Sequence, residues 1–321
     1  MKPTIMMFEP MLPEIEAALD RDYDVCRMTQ EEGRARADAQ PEAIRAVVTG
    51  GGTGLDPAWF DRLDNLGIIA VNGVGTDKVD LERARRRGVH VTTTPGVLTD
   101  DVADIGMALV LASLRRLGEG ERMVRAGDWA RGGKLPLATS LKGKTIGILG
   151  LGQIGKALAR RAEAFGMRVA YWNRSDVADA GGWQRSDTPR DLAEAADILA
   201  VCVAANPQTE GMVDAAVIDA LGPNGTLVNV ARGSVVDEAA LIEALKDRRI
   251  AGAGLDVFLN EPQINPAIVE LDNVVLMPHQ GSATLETRQA MGAIVLDNLH
   301  AYFAGRTPPH CVVHPVREAA Q

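Results

Sequence analysis

The sequence is poor in aromatic side chains, which make up 4% of its 321 residues. A core with so few rings must be filled by aliphatic side chains and closed by tight backbone packing. Cysteine is scarcer still: Cys26, Cys202 and Cys311 are far apart and odd in number. They offer neither a disulfide framework nor a metal-binding spacing, so no metal is expected and a reducing, cytoplasmic setting is the default. No apolar run is long enough to span a bilayer, and the N-terminal MKPTIMMFEP lacks the apolar stretch and cleavage site of a secretory signal. A basic excess is missing too, since 34 Lys and Arg face 43 Asp and Glu for a net charge of −9. That balance argues against broad binding to nucleic acid or anionic membrane. The one basic cluster, Arg83, Arg85, Arg86 and Arg87, lies beside acids and reads as the solvated end of a helix.

What is present is glycine, 33 residues of it, in an otherwise ordinary globular mixture that is 46% hydrophobic. The length favours two domains over one core. Short apolar runs at Ile5–Phe8, Ala46–Thr49, Ile68–Val71 and Val89–Thr92 alternate with amphipathic stretches at Glu14–Ala18, Pro57–Leu66 and Lys78–Arg87. Strands alternating with helices predict a parallel sheet covered on both faces. One long helix is expected from about Asp101 to Val124, its first part apolar nearly all round. A Gly- and Lys-rich loop follows it. The alternation then restarts, with strands expected at Thr145–Leu149, Arg168–Trp172, Ile198–Val203, Gly225–Val230, Gly252–Leu255 and Val274–Met277. A last helix, Thr284–Phe303, is expected to lead into a polar tail. The fold class expected is α/β, two Rossmann-like doubly wound parallel sheets with the active site in the cleft between them.

The segment KTIGILGLGQIGKALARR holds Gly150-Leu151-Gly152-Gln153-Ile154-Gly155 between an apolar strand and an amphipathic helix. In that context the spacing is a dinucleotide fingerprint. Gly150 permits the tight turn, Gly152 lets a pyrophosphate approach the backbone, and Gly155 lets helix and strand pack closely. The helix N-terminus offers unpaired N–H groups to the phosphates. The next strand ends in Asn173-Arg174-Ser175, where an NAD enzyme usually places an acid for the ribose hydroxyls. A neutral amide, a guanidinium and a hydroxyl suit a 2′-phosphate, so NADP(H) is the preferred cofactor, with NAD(H) use left open.

Three further segments follow predicted strands of the same domain. They carry Arg232 in LVNVARGSVVDEAAL, Asp256 and Glu261 in AGLDVFLNEP, and His279 in VVLMPHQGSATLET. With VNGVGTDKVDL (71–81), TPGVLTDDVAD (94–104), NVARGSVVDEAAL (229–241), GLDVFLNEP (254–262) and PHQGSATLETR (278–288), the chain resembles the D-isomer-specific 2-hydroxyacid dehydrogenases over nearly its whole length. Within that family it is most similar to the glyoxylate/hydroxypyruvate reductase branch. The resemblance implies NADPH-dependent reduction of small 2-keto acids, glyoxylate and hydroxypyruvate, to glycolate and D-glycerate. It casts His279 as proton donor, with Glu261 orienting the imidazole and favouring its protonated form. Arg232 would bind the substrate carboxylate and polarise the carbonyl. The backbone N–H groups of Val74 and Gly75 would hold the carboxylate, beside a pocket bordered by Gly51. Asp256 would bond the nicotinamide carboxamide. Thr99, Ala204, Thr209, Val230, Ala231, Gly281 and Ser282 would line the cofactor.

The resemblance also implies a substrate-binding domain made of 1–98 and 286–321, a NADP-binding Rossmann domain of 99–285, and a homodimer. The apolar helix after Asp101 is taken as the dimer's packing surface, and the loop with Trp129 as reaching the partner. Two features depart from the family pattern. The acid of NAD-preferring relatives is absent at Asn173, and VCVAANPQTEG replaces the usual apolar–Pro–Thr wording near Ala204. Two alternatives remain open: a reductase of a larger 2-keto acid such as hydroxyphenylpyruvate, and a dinucleotide-sensing binding protein like the corepressors that share the fold.

Overall fold

In a computed structural model, which describes residues 2–314, apolar alternation sets the first strands. The strand β1 (Thr4–Met7) is followed by α1 (Pro13–Asp22), β2 (Asp24–Arg27), α2 (Glu31–Ala39), β3 (Ile44–Gly50), α3 (Pro57–Arg62), β4 (Ile68–Asn72), α4 (Leu81–Arg86) and β5 (His90–Thr92). Ile5, Met7, Ala46, Val48, Ile68 and Ala70 join one core cluster, while Met6, Val47, Ile69, Val71 and Val91 join another. Successive side chains of a strand point to opposite faces, so a sheet apolar at every position must be covered twice.

After β5 the chain forms α5 (Thr99–Leu114), α6 (Leu117–Arg125), β6 (Thr145–Leu149), α7 (Gln153–Ala164), β7 (Arg168–Trp172), β8 (Gln184–Arg185), α8 (Pro189–Ala195) and β9 (Ile198–Val201). It continues with α9 (Ala215–Leu221), β10 (Thr226–Asn229), α10 (Glu238–Lys246), β11 (Gly252–Leu255), α11 (Pro266–Val269) and β12 (Val274–Leu276). It closes with α12 (Leu285–Phe303) and β13 (Cys311–Val313). Contacts divide the chain into two units: Thr99–Gly281, and the segments up to Leu98 and from Ser282 onward. The second crossing therefore lies four residues before the 285/286 boundary read from the sequence. Ser282 and Thr284 go with α12, whose first turn Thr284 caps through its side chain.

The two sheets differ in order. The first unit runs β13-β5-β4-β3-β1-β2, parallel except for β13, which pairs antiparallel with β5. Its parallel part has the flavodoxin-type order. The second unit runs β12-β11-β10-β9-β6-β7-β8, all parallel, which is the Rossmann order extended by one strand. The order reverses between β6 and β9, beside the glycine loop that follows β6.

Several expectations need correction. The single helix expected from Asp101 to Val124 is two, because Arg116 adopts a left-handed φ of 55° between α5 and α6. The tail expected to be only polar contributes β13 to the first sheet; residues 315–321 of it lie outside the described residues. The apolarity of α5 is used within its own unit. Val102, Met107, Leu109, Val110 and Leu114 are buried, and the helix packs on α7 and on β10–β12. It therefore gives no ground for a dimer surface. Among the described residues no helix is long and apolar enough to cross a membrane.

Candidate active site

Parallel strands turn chain order into a spatial cluster, since their carboxyl ends share one edge of the sheet. At that edge of the second unit lie Gly150 after β6, Asn173 after β7, Ala204 after β9, Val230 to Arg232 after β10, Asp256 after β11 and His279 after β12.

The three fingerprint glycines do different work. Gly150 has φ +101°, and a Cβ there would sit 2.7 Å from Val203. A Cβ on Gly155 would sit 2.2 Å from the carbonyl oxygen of Gly150. Gly152 has nothing within 4 Å of the place of its Cβ, and no side chain caps the helix that begins at Gln153 and Ile154. The space over this N-terminus fits a pyrophosphate, with N–H groups aimed at it. The Thr99 hydroxyl, 3.3 Å from Gln153 Oε1, is brought to the same turn. Gly152→Ala is expected to leave thermal stability unchanged and to weaken dinucleotide binding by about tenfold, about 1.4 kcal/mol. Fluorescence titration beside a melting curve checks this, and a lowered melting point would assign Gly152 to folding instead.

At the end of β7, Asn173 Oδ1 accepts from the Leu151 N–H at 3.3 Å, and its Nδ2 donates to the Ser175 carbonyl at 2.9 Å. Asn173 thus ties the glycine loop to the ribose end of the site. Arg174 and Ser175 are exposed. Two residues not singled out in the sequence join them. Arg185 on β8 pairs with Asp176 and donates to the Asn173 carbonyl at 3.3 Å. No sequence pattern marks this pair, because β8 is a two-residue edge strand. In the loop after β9, the Thr209 hydroxyl donates to the Ala204 carbonyl at 2.8 Å and accepts from the Asn206 N–H at 2.9 Å. Thr209 therefore uses its hydroxyl to close the loop.

The chemistry-bearing side chains are held by backbone turns. Asn229, buried at the end of β10, accepts from the Ala231 N–H at 3.0 Å and donates to the Arg232 carbonyl at 2.9 Å. This positioning residue was missed in the sequence, although a polar side chain ending a buried strand is a readable signal. Gly233 follows Arg232 because the turn lies against the Phe258 backbone, where a Cβ would come within 2.0 Å. The Arg232 Nη1 donates to the Ala231 carbonyl at 2.8 Å.

Asp256 is fully buried and accepts from the N–H groups of Gln280 at 2.7 Å and Gly281 at 2.8 Å. Burial pushes its carboxyl above the usual range, against the pull of those two bonds and of His279. Both oxygens of Asp256 thus shape the turn after His279. His279 itself has a left-handed φ of 54°. Such a conformation in a non-glycine residue costs about 1–3 kcal/mol and marks a position that the surroundings over-determine. Here the His279 N–H donates to the carbonyls of Asp256 and Met277. Its Nδ1 lies 2.6 Å from Glu261 Oε2, while Glu261 Oε1 accepts from the Phe258 N–H at 2.8 Å. Burial alone would raise the Glu261 carboxyl, but the bonds from His279 and Phe258 and the charges of His279 and Arg232 outweigh it and hold it below the usual range. An ionised carboxylate only accepts, so Nδ1 is the protonated nitrogen facing it and Nε2 is left for other work.

In the first unit, Gly51 lies in the turn after β3. Val74, 41% exposed, and Gly75 lie in the loop after β4. Ser282 is the first residue returned to that unit.

Residues 107–281 match the family model described as D-isomer specific 2-hydroxyacid dehydrogenase, NAD binding domain. The chain belongs to the D-isomer-specific 2-hydroxyacid dehydrogenases. It is an enzyme of that family, with a nicotinamide-dinucleotide-binding second unit. It is 46% identical to the 2-ketogluconate reductase of Gluconobacter oxydans over 306 residues, 95% of this chain and 97% of that one. It is 43% identical to glyoxylate/hydroxypyruvate reductase A of Arabidopsis thaliana over 304 residues, 94% of this chain and 96% of the relative. Among solved structures, the NADPH-dependent glyoxylate/hydroxypyruvate reductase of Sinorhizobium meliloti, in complex with NADP and malonate, superposes with a TM-score of 0.92 at 41% identity over 100% of both chains.

Proposed function

We propose that this dehydrogenase reduces small 2-keto acids, glyoxylate and hydroxypyruvate first, to glycolate and D-glycerate with NADPH, and that His279 supplies the proton. The observation that carries the reading is the His279–Glu261 pair, 2.6 Å apart, on the strand edge that bears the dinucleotide loop and Arg232. When bound, the nicotinamide supplies the hydride to the carbonyl carbon. Glu261 keeps the imidazole turned so that Nε2 faces away from it. Protonated His279 gives the Nε2 proton to the carbonyl oxygen and is neutral afterwards. The Arg232 guanidinium binds the substrate carboxylate and draws charge onto the carbonyl oxygen. The N–H groups of Val74 and Gly75, beside Gly51, are assigned to the same carboxylate by the family resemblance. Asp256 fixes the Gln280–Gly281 turn and is assigned to the nicotinamide carboxamide. Val230, Ala231, Ala204, Thr99, Gly281 and Ser282 are assigned to the cofactor's walls.

Steady-state kinetics with glyoxylate, hydroxypyruvate, pyruvate and phenylpyruvate, each with NADPH and NADH, test the proposal. Absence of turnover on every keto acid, together with tight peptide binding, would favour the corepressor-like alternative. A larger substrate is the second reading. A mostly apolar cavity of about 350 Å³ lies against His279, lined by Phe258, Ile264, Leu276 and Met277. Faster turnover of phenylpyruvate than of glyoxylate would select it.

The NADPH preference rests on the end of β7. No carboxylate stands at position 173, Arg174 is exposed next to it, and Arg185, which pairs Asp176, donates to the Asn173 carbonyl. A 2′-phosphate carries nearly two negative charges, and a guanidinium at that place attracts it. Arg174→Ala is expected to raise the Michaelis constant for NADPH by about ten- to hundredfold and to leave that for NADH nearly unchanged. An equal loss for both cofactors would show that Arg174 does not read the phosphate.

The homodimer is proposed on a different surface from α5. Leu117, Val124, Trp129, Leu135 and Leu137 are all exposed on α6 and the segment after it, Leu137 at 98%. Light scattering is expected to give the mass of two chains, and a single-chain mass at micromolar concentration removes the proposal. The three cysteines are free, which suits the reducing, cytoplasmic setting proposed.

A further inference from the structure

The first unit carries a group of metal-ligating side chains that the proposed reaction does not use. His90 opens β5 and Cys311 opens β13, its antiparallel neighbour at the sheet edge. The Thr93 N–H donates to the His310 carbonyl at 3.2 Å and continues the pairing of the two segments. His90 Nδ1 lies 3.4 Å from Cys311 Sγ. His314 follows, and one ligand atom from each of His90, Cys311 and His314 falls within 4.8 Å of the others. His90 and Cys311 are half-buried and His314 is exposed, so solvent reaches one side of the group. The His90 ring is further held edge-on by Tyr302, with centroids 6.0 Å apart.

A hydrogen bond would account for His90 and Cys311 alone, but not for a third ligand converging on them. A thiolate and an imidazole bound to one tetrahedral ion at about 2.3 and 2.0 Å stand about 3.5 Å apart, close to the separation seen here. The donor set is two imidazoles and one sulfur with no carboxylate, which suits zinc and similar borderline ions and disfavours calcium or magnesium. We propose that His90, Cys311 and His314 form a binding site for a zinc-type ion, with water as fourth ligand, that staples β13 to β5. The Cys311 thiol now donates to the Val313 carbonyl at 2.7 Å. On loading, that proton leaves to solvent and a sulfur–metal bond replaces the S–H···O bond, one proton released per ion. Sequence spacing conceals the site, because His90 and Cys311 are 221 residues apart.

The test uses the full chain, reduced and metal-free, titrated with Co²⁺ and then with Zn²⁺. One equivalent of Co²⁺ is expected to produce a sulfur-to-cobalt charge-transfer band and the visible bands of four-coordinate cobalt, all removed by Zn²⁺. Cys311→Ser should abolish the charge-transfer band. His314→Ala, at an exposed position, should weaken binding by at least about tenfold, the loss that even an outer-shell partner brings. Absence of the band in the unaltered chain overturns the site. So does a band that persists in Cys311→Ser, which would belong to Cys26 or Cys202.

Discussion

His279→Asn is expected to lower reductive turnover by about a hundred- to ten-thousand-fold while cofactor binding stays within a few fold. The choice of asparagine follows from the backbone. Position 279 is left-handed, and asparagine is among the few residues that adopt that conformation readily. The turn made by Asp256, Gln280 and Gly281 can therefore persist, and the amide can still bond to Glu261. What is lost is the ionisable Nε2. A stopped-flow measurement of the first turnover with NADPH and glyoxylate, beside a binding titration, separates chemistry from assembly. Turnover within a few fold of the unaltered enzyme would remove His279 from the role of acid. A parallel collapse of cofactor binding would mean that the substitution had damaged the Asp256 turn instead.

Arg232→Gln carries the second large effect. The guanidinium is assigned both to the carboxylate, an interaction present before reaction, and to the carbonyl oxygen, where negative charge grows. Loss of the first raises KM, and loss of the second lowers kcat. Removing one donor of this kind typically costs about a hundred- to a thousandfold in rate. Both parameters should therefore move, and kcat/KM should fall by at least that factor. The backbone turn does not depend on the side chain, since Asn229 and the close approach of Gly233 to Phe258 hold it. Arg232→Lys should recover little, because an ammonium cannot form the planar fork. A change confined to KM would show that Arg232 only binds the substrate, and an unchanged kcat/KM would remove it from the site.

Much of the site was legible because its signals are local. A strand followed by Gly150-Leu151-Gly152 and then a helix can be read from neighbouring residues. So can Arg232, Asp256 and His279, each just after an apolar run. Hydrophobic periodicity likewise marked β1, β3, β4, β5, β6, β7, β9, β10, β11 and β12. It did not mark β2, α2 or β8. These lie at or beside sheet edges, where little apolar surface is buried and the pattern fades.

The remaining features come from pairings between segments far apart in the chain, on which local pattern is silent. Strand hydrogen bonding chose a flavodoxin-type order for one sheet and the Rossmann order for the other, and it added β13 antiparallel at an edge. Nonlocal contacts also set the 2.6 Å His279–Glu261 bond, enclosed Asp256 under the Gln280–Gly281 turn, and joined Arg185 to Asp176 beside Arg174. Composition and motif order thus determined the fold class and the candidate residues. Distance, burial and the left-handed turn at His279 were decided only in three dimensions, because hydrogen bonds and desolvation depend on which distant segments meet.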